Sequence, residues 1–292
     1  MGFISYLING MSLGSIYALI SLGYTMVYGI AKMLNFAHGD VIMIGGYVAF
    51  TAISTYNCPV WLAVILSIIV CTLLGVIIER VAYKPLRNSS SLTVLITAIG
   101  VSYLLQNAAL LIFGATPKTF NSIVSVPEWH INNQLTISGE TITTIVITVV
   151  IMVALTLFVN KTKQGSAMLA VSEDKGAAQL MGINVNKTIS ITFAIGSALA
   201  AVASLLLCST YPQISPYTGA MPGIKAFVAA VFGGIGSIPG AMIGGILLGI
   251  IESLSKAYIS SQMADAIVFG VLVLVLIVKP TGILGKKINE KV

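Results

Sequence analysis

The feature that most constrains this chain is the recurrence of unbroken apolar stretches, such as 60–78 and 142–159, with polar residues gathered between them. A bilayer core needs about 20 apolar residues in a helical span. In lipid the backbone must satisfy its own hydrogen bonds, which leaves helices or a closed barrel. A barrel strand would alternate apolar and polar residues, and these stretches do not alternate. Composition agrees: 57% of the residues are hydrophobic and 8% are charged, where a soluble domain carries about 25% charged residues. The sequence predicts an all-α polytopic integral membrane protein. It forms a single transmembrane domain over 1–292, with eight or nine transmembrane helices and Gly/Pro-broken segments.

Spans are expected near 5–30, 41–56, 60–78, 92–113, 142–159, 189–210, 224–234, 241–254 and 263–278. Lys and Arg concentrate at Lys32, in 79–91, in 160–188 and in the tail at Lys279, Lys286, Lys287 and Lys291. Nine spans place all four regions on one face. Short basic loops face the cytoplasm, so the N-terminus is expected outside and the C-terminus inside. The net charge of +6 is dispersed through loops and forms no basic face, which argues against nucleic acid. Cys58, Cys71 and Cys208 have neither a disulfide framework nor metal-ligand spacing. No Lys or Arg precedes Lys32, so the charged start of a signal peptide is missing, and the first segment is expected to remain as a helix.

Two connections are long. Segment 114–141, external on this count, carries Trp129 and His130. It reads as an interfacial anchor or as a docking surface. Segment 160–187 is cytoplasmic and rich in helix formers over 166–181. Met168, Leu169, Val171, Ala178 and Met181 would form its apolar stripe. It reads as an amphipathic surface helix or as a socket piece for a cytoplasmic subunit.

No Walker phosphate loop is present. "GGIGSIPG" (233–240) lacks the strand and glycine spacing of a dinucleotide site, and no His/Cys/carboxylate cluster has metal spacing. The unusual stretch is "MLNFAHGDVIMIGG" (33–46), where Asn35, His38 and Asp40 stand between apolar segments. Its Met43–Gly46 (MIGG) is echoed by Met242–Gly245, and each copy follows a glycine-containing break. Paired Gly/Pro-interrupted segments in transporters point to the substrate path, and glycine lets helices approach closely. The candidate path residues are therefore Asn35, His38, Gly39, Asp40, Gly45 and Gly46, with Gly236, Gly240, Gly244 and Gly245. A second reading stands beside it: 31–40 is a short cytoplasmic loop in which Asn35 or Asp40 caps the next helix. Whether the echo marks a parallel or an inverted repeat is open at this level.

"LNFAHGD" with "IMIGGY", "GIKAFVAAVFGGIGSIPGAMIGG" and "SEDKGAAQLMGI" together closely resemble the permease subunits of bacterial branched-chain amino acid ABC importers of the LivH type. The resemblance covers about residues 5–285. It implies an inner-membrane transport subunit, not an enzyme, with no cofactor of its own. Its implied partners are a second homologous permease, two cytoplasmic ABC ATPases and a periplasmic amino-acid-binding protein. The implied cargo is leucine, isoleucine or valine moved by alternating access; urea or short amides are the alternative within the same family type. A stand-alone channel or secondary carrier is the rival from another class. The family's coupling segment corresponds to 160–187, with Glu173, Asp174, Ala177, Ala178 and Gly182 as candidate ATPase contacts. The family's E-A-A-x-x-x-G reads Gly176-Ala177-Ala178-Gln179-Leu180-Met181-Gly182 here, so its Glu is missing. A zwitterionic cargo needs a partner for each charge: helix N-termini after Gly39 and Gly240 are expected to offer N–H groups to its carboxylate, and Asp40 to face its ammonium.

Overall fold

The computed structural model describes residues 2–285 apart from 88, 125, 133 and 134, so Lys286, Lys287 and Lys291 lie outside the described residues. The apolar stretches fold as α1 (Gly2–Ala31), α2 (His38–Ser54), α3 (Val60–Ile78), α4 (Ser91–Phe113) and α5 (Gly139–Lys161). Two short helices follow, α6 (Lys163–Glu173) and α7 (Lys175–Leu180), then α8 (Val185–Thr210), α9 (Ala220–Gly233), α10 (Ile238–Tyr258) and α11 (Ala264–Val278). A π-helical turn, Glu79–Tyr83, and a 3₁₀ turn, Lys84–Leu86, extend α3. By length and composition α1, α3 with its extension, α4, α5, α8 and α10 can each cross a membrane. The 17-residue α2, 14-residue α9 and 15-residue α11 are shorter. Each of the nine expected spans is a helix. Polar side chains cap two of the helices that start earlier than expected: Asn184 starts α8 and Ser237 starts α10 by accepting from Lys187 and Gly240 N–H groups.

The predicted single helix over 166–181 is instead two helices. Asp174 Oδ1 accepts from Gly176 N (2.7 Å) and Ala177 N (3.0 Å), which restarts the helix with a new cap. Met168, Val171 and Ala178 are buried as the stripe predicted, but Leu169 and Met181 are exposed.

Small residues set the central packing. Gly10 and Gly14 of α1 bring Cβ positions to 2.8 Å of Ile250 Cα and 2.6 Å of Ile246 Cα, so α10 runs antiparallel along α1 at backbone contact. Likewise α3 runs antiparallel to α8, with Gly75 against Ser197 and Ser190 Oγ donating to Glu79 Oε2 at 2.7 Å. Alternation of the crossing helices sends α8 opposite to α1. One plan therefore appears twice in opposite orientations, in α1–α4 and α8–α11: a long buried helix, a non-helical break, a short helix, a helix lying along the other copy's long helix, and a peripheral helix. The repeat is inverted. The MIGG echo does not mark it, because its copies lie in α2 and α10, which are not equivalent elements of the two halves.

Lys32, Lys84, Arg87 and Lys175 gather at one end of the bundle, where Lys175 Nζ donates to Ala31 O at 3.0 Å. At the other end, β1 (Lys118–Thr119) pairs with β4 (Gln213–Ile214), and β2 (Trp129–Asn132) forms a hairpin with β3 (Leu135–Ile137). Trp129 is exposed there, and His130 Nδ1 lies 3.0 Å from Thr136 Oγ1.

Candidate functional site

The polar stretch at 33–40 is a break inside the bundle. Lys32 adopts a left-handed backbone (φ 59°) that ends α1, and the chain turns back so that α2 starts with His38 packed on Gly23, in the body of α1. The His38 ring meets Tyr24 edge-on at 4.8 Å, and its Nε2 has no hydrogen-bond partner among the described residues. Tyr83 OH donates to Asn35 Oδ1 at 2.9 Å, and Gln106 Nε2 to Asp40 Oδ1 at 2.9 Å. Asn35, His38 and Asp40 are all buried. Asp40 stands in the first turn of α2, whose N-cap, Ala37, makes no side-chain cap.

The second break, 211–219, is held by a turn in which Ser215 N donates to Thr218 Oγ1 at 2.7 Å. It delivers Gly219, also without a side-chain cap, to the start of α9. There the two breaks meet: a Cβ on Gly39 would lie 2.6 Å from Gly219 O, and one on Gly223 would lie 2.9 Å from Gly39 Cα. The starts of α2 and α9 thus converge, with the Tyr24 hydroxyl beside Gly223. Two helix N-termini without side-chain caps favour negative charge at their junction. The start of α10 differs, because Ser237 Oγ already takes the Gly240 N–H at 3.2 Å.

Adjoining the start of α9, a cavity of about 330 Å³ lies between α1, α8, α9 and α10 at the end away from the basic cluster. Its polar wall holds charges from α9 and α10. Lys225 Nζ and Lys256 Nζ donate to Glu252 Oε1 at 2.8 and 2.6 Å, and Tyr17 OH donates to Oε2 at 2.8 Å. Lys225 also pairs with Asp265 at 2.6 Å. Lys225 and Glu252 are buried. Sequence reasoning missed this group because Lys and Arg were weighed only as loop charges. The signal was present in "GIKAF" and "IIESLSKAY", ionisable residues inside apolar runs, which default to function.

The echoed glycines serve close packing. Gly45 faces Cys71 Sγ and Ser67 Oγ, Gly46 faces Ile214 and Ser204, Gly244 faces α9, and Gly245 faces Ala18 of α1. Gly236 lies against Gly29 with φ 92°.

At the basic end a cleft of about 650 Å³ runs between the α3 extension and α7–α8, lined by Lys84, Arg87, Lys175 and Asn186. Glu79, fully buried, holds Arg87 and Ser190. Burial, then the Arg87 and Lys32 charges, lower the Lys175 pKa from the ordinary lysine value. Of the candidate coupling residues, Glu173, Asp174, Ala177 and Gly182 are exposed and Ala178 is buried. The space beside Gly182 is open, and its constraint is a left-handed backbone (φ 82°), not crowding within this chain.

The sequence model of the family described as "Branched-chain amino acid transport system / permease component" matches residues 6–276. The chain is 48% identical to the high-affinity branched-chain amino acid transport system permease protein LivH of Salmonella typhimurium, over 99% of this chain and 98% of that one. It is 47% identical to the corresponding protein BraD of Pseudomonas aeruginosa, again over 99% and 98%. A protein of Methanocaldococcus jannaschii named as a probable branched-chain amino acid transport permease LivH is 31% identical over 93% of this chain and 89% of its own length.

Proposed function

The chain belongs to the branched-chain amino acid transport permease family, and from that premise we propose that it moves leucine, isoleucine and valine across the bacterial inner membrane. It does so as the permease subunit of an ATP-driven ABC importer. The observation that carries this reading is identity near one half, sustained end to end, with relatives named for that transport.

The finer assignments follow from it. A second permease completes the path, two separate ATPases power it, and a periplasmic binding protein delivers the amino acid. The basic end is cytoplasmic by the distribution of Lys and Arg, and 160–187 meets the ATPases through α6 and α7. Lys175 connects α7 to the last turn of α1 through Ala31 O, and the break at 32–37 follows directly. A displacement of α7 therefore reaches the junction of the two short helices through α1. Alternating access then consists of opening this junction first outward and then inward. The inverted repeat suits such a motion, because its two halves present the same elements to opposite faces.

The test is complementation. In cells deleted for their own branched-chain amino acid permease, this chain expressed with its cognate partners should restore leucine uptake that depends on an intact ATPase site. Uptake that persists when the ATPase is inactivated would refute the reading in favour of a channel or secondary carrier. Restoration of urea or amide uptake without leucine uptake would refute the cargo.

A further inference from the structure

We propose that the cavity between α1, α8, α9 and α10 is a binding site for a free α-amino acid, held by its carboxylate and ammonium at the Lys225–Glu252–Lys256 group that lines it. The inference rests on the transport reading above and names where within this chain the cargo is received.

Charge balance is the first support. Two ammonium and two carboxylate groups form a neutral set, so a neutral zwitterion adds no net charge to an environment that penalises it. Valence is the second. An ammonium has three donors and a carboxylate about four acceptor positions. Among the described residues Lys256 spends one hydrogen bond, on Glu252, and its side chain is 41% exposed and lines the cavity. Glu252 accepts two bonds at Oε1 and one at Oε2, and Asp265 is 44% exposed. Donors and acceptors thus remain side by side. A carboxylate can take the free Lys256 protons while the adjoining ammonium donates to Glu252 Oε2.

The walls are the third support. Leu13, Leu207, Met221 and Pro222 face the same space and suit a branched aliphatic side chain. The volume, about 330 Å³, lies at the lower end of ligand sites, which run from about 300 to 1,000 Å³. Position is the fourth. Thr218, Met221 and Pro222 line the cavity and belong to the break and first turn of α9, so the occupant sits next to the junction that must open. A purely structural ion pair needs no cavity beside it. Its energetic case is also weak, because buried pairs are often replaceable by apolar residues at no loss of stability.

The experiment uses the assembled permease–ATPase complex, purified without the binding protein, and reads thermal midpoint against added ligand. Leucine should raise the midpoint. Leucinamide, which lacks the carboxylate, and 4-methylpentanoate, which lacks the ammonium, should not. Lys256→Met, checked for monodisperse assembly with its partners, should weaken the leucine response about 10- to 100-fold, the loss of one charge-assisted hydrogen bond. Glu252→Gln should act likewise. Equal responses to leucine and both analogues in the unmodified complex would overturn the proposal without recourse to any variant, as would an unchanged leucine response in an assembled Lys256→Met complex. Loss of ATP-driven leucine uptake by the unmodified complex would instead refute the transport reading, so the two failures are distinct.

Discussion

Gly245 and Gly100 make a matched pair that separates packing from propensity. A Cβ at Gly245 would lie 2.5 Å from Ala18 Cα and 2.8 Å from Ala18 Cβ, both on the facing helix. Carbon atoms pack best at about 3.5–4.0 Å, so α10 must withdraw from α1 by about 1 Å. The α1–α10 seam is at backbone contact along much of its length, through Gly10 and Gly14, so the withdrawal spreads beyond one residue. Overpacking of this kind costs about 1–3 kcal/mol, while replacing Gly by Ala in a helix gains about 1 kcal/mol. Gly245→Ala should therefore be net destabilising by up to about 2 kcal/mol. At Gly100 of α4 no atom of the described residues lies within 4 Å of the added methyl, and only the gain of about 1 kcal/mol applies. The assay is the midpoint of SDS-induced unfolding of the detergent-purified chain with its partner permease. Gly245→Ala should fall below the parent and Gly100→Ala should rise above it. A Gly245→Ala midpoint raised as far as that of Gly100→Ala would refute the packing argument, and with it the claim that glycine is there for close approach.

Other outcomes follow from particular contacts. Lys175→Met removes the bond to Ala31 O; the complex should assemble while ATP hydrolysis loses its stimulation by the loaded binding protein, and undiminished stimulation would break the proposed link. Glu79→Ala leaves Arg87, 12% exposed, without its carboxylate; removing one partner of a buried pair costs about 3–5 kcal/mol, and an unchanged unfolding midpoint would show that this end of α3 is held otherwise. Asp40→Asn keeps an acceptor for Gln106 and should transport leucine as the parent does, whereas Asp40→Leu should not; a transport defect in Asp40→Asn would show that transport uses the charge of Asp40 and not only its bond to Gln106.

Much of the helical layout was legible because apolar runs and polar gaps report directly on what lipid tolerates. The breaks were legible in part. "NFAHGD" stood out by its polarity, but "YPQISPYTG" (211–219) reads as an ordinary connection, and only the fold brings Gly219 to Gly39. The repeat was hidden for a related reason: its halves share a plan of lengths and directions, while the identical MIGG tetrads sit in unrelated elements and mislead. Lys225 and Glu252 lie 27 positions apart, and no local pattern announces their pairing, although each is conspicuous alone inside an apolar run. Asp174 stands in the sequence as a candidate ATPase contact. Its position before Lys175-Gly176-Ala177 makes it a cap, and that divides the predicted helix.

The measurement that tests the central claim most directly is radiolabelled leucine uptake into proteoliposomes holding this chain, its partner permease and both ATPases, with the binding protein supplied on one side and ATP on the other. The account predicts that uptake requires all of these components, concentrates leucine against its gradient, and stops when ATP is withdrawn or when this chain is omitted. Leucine entry by this chain alone, unaffected by ATP, would contradict it.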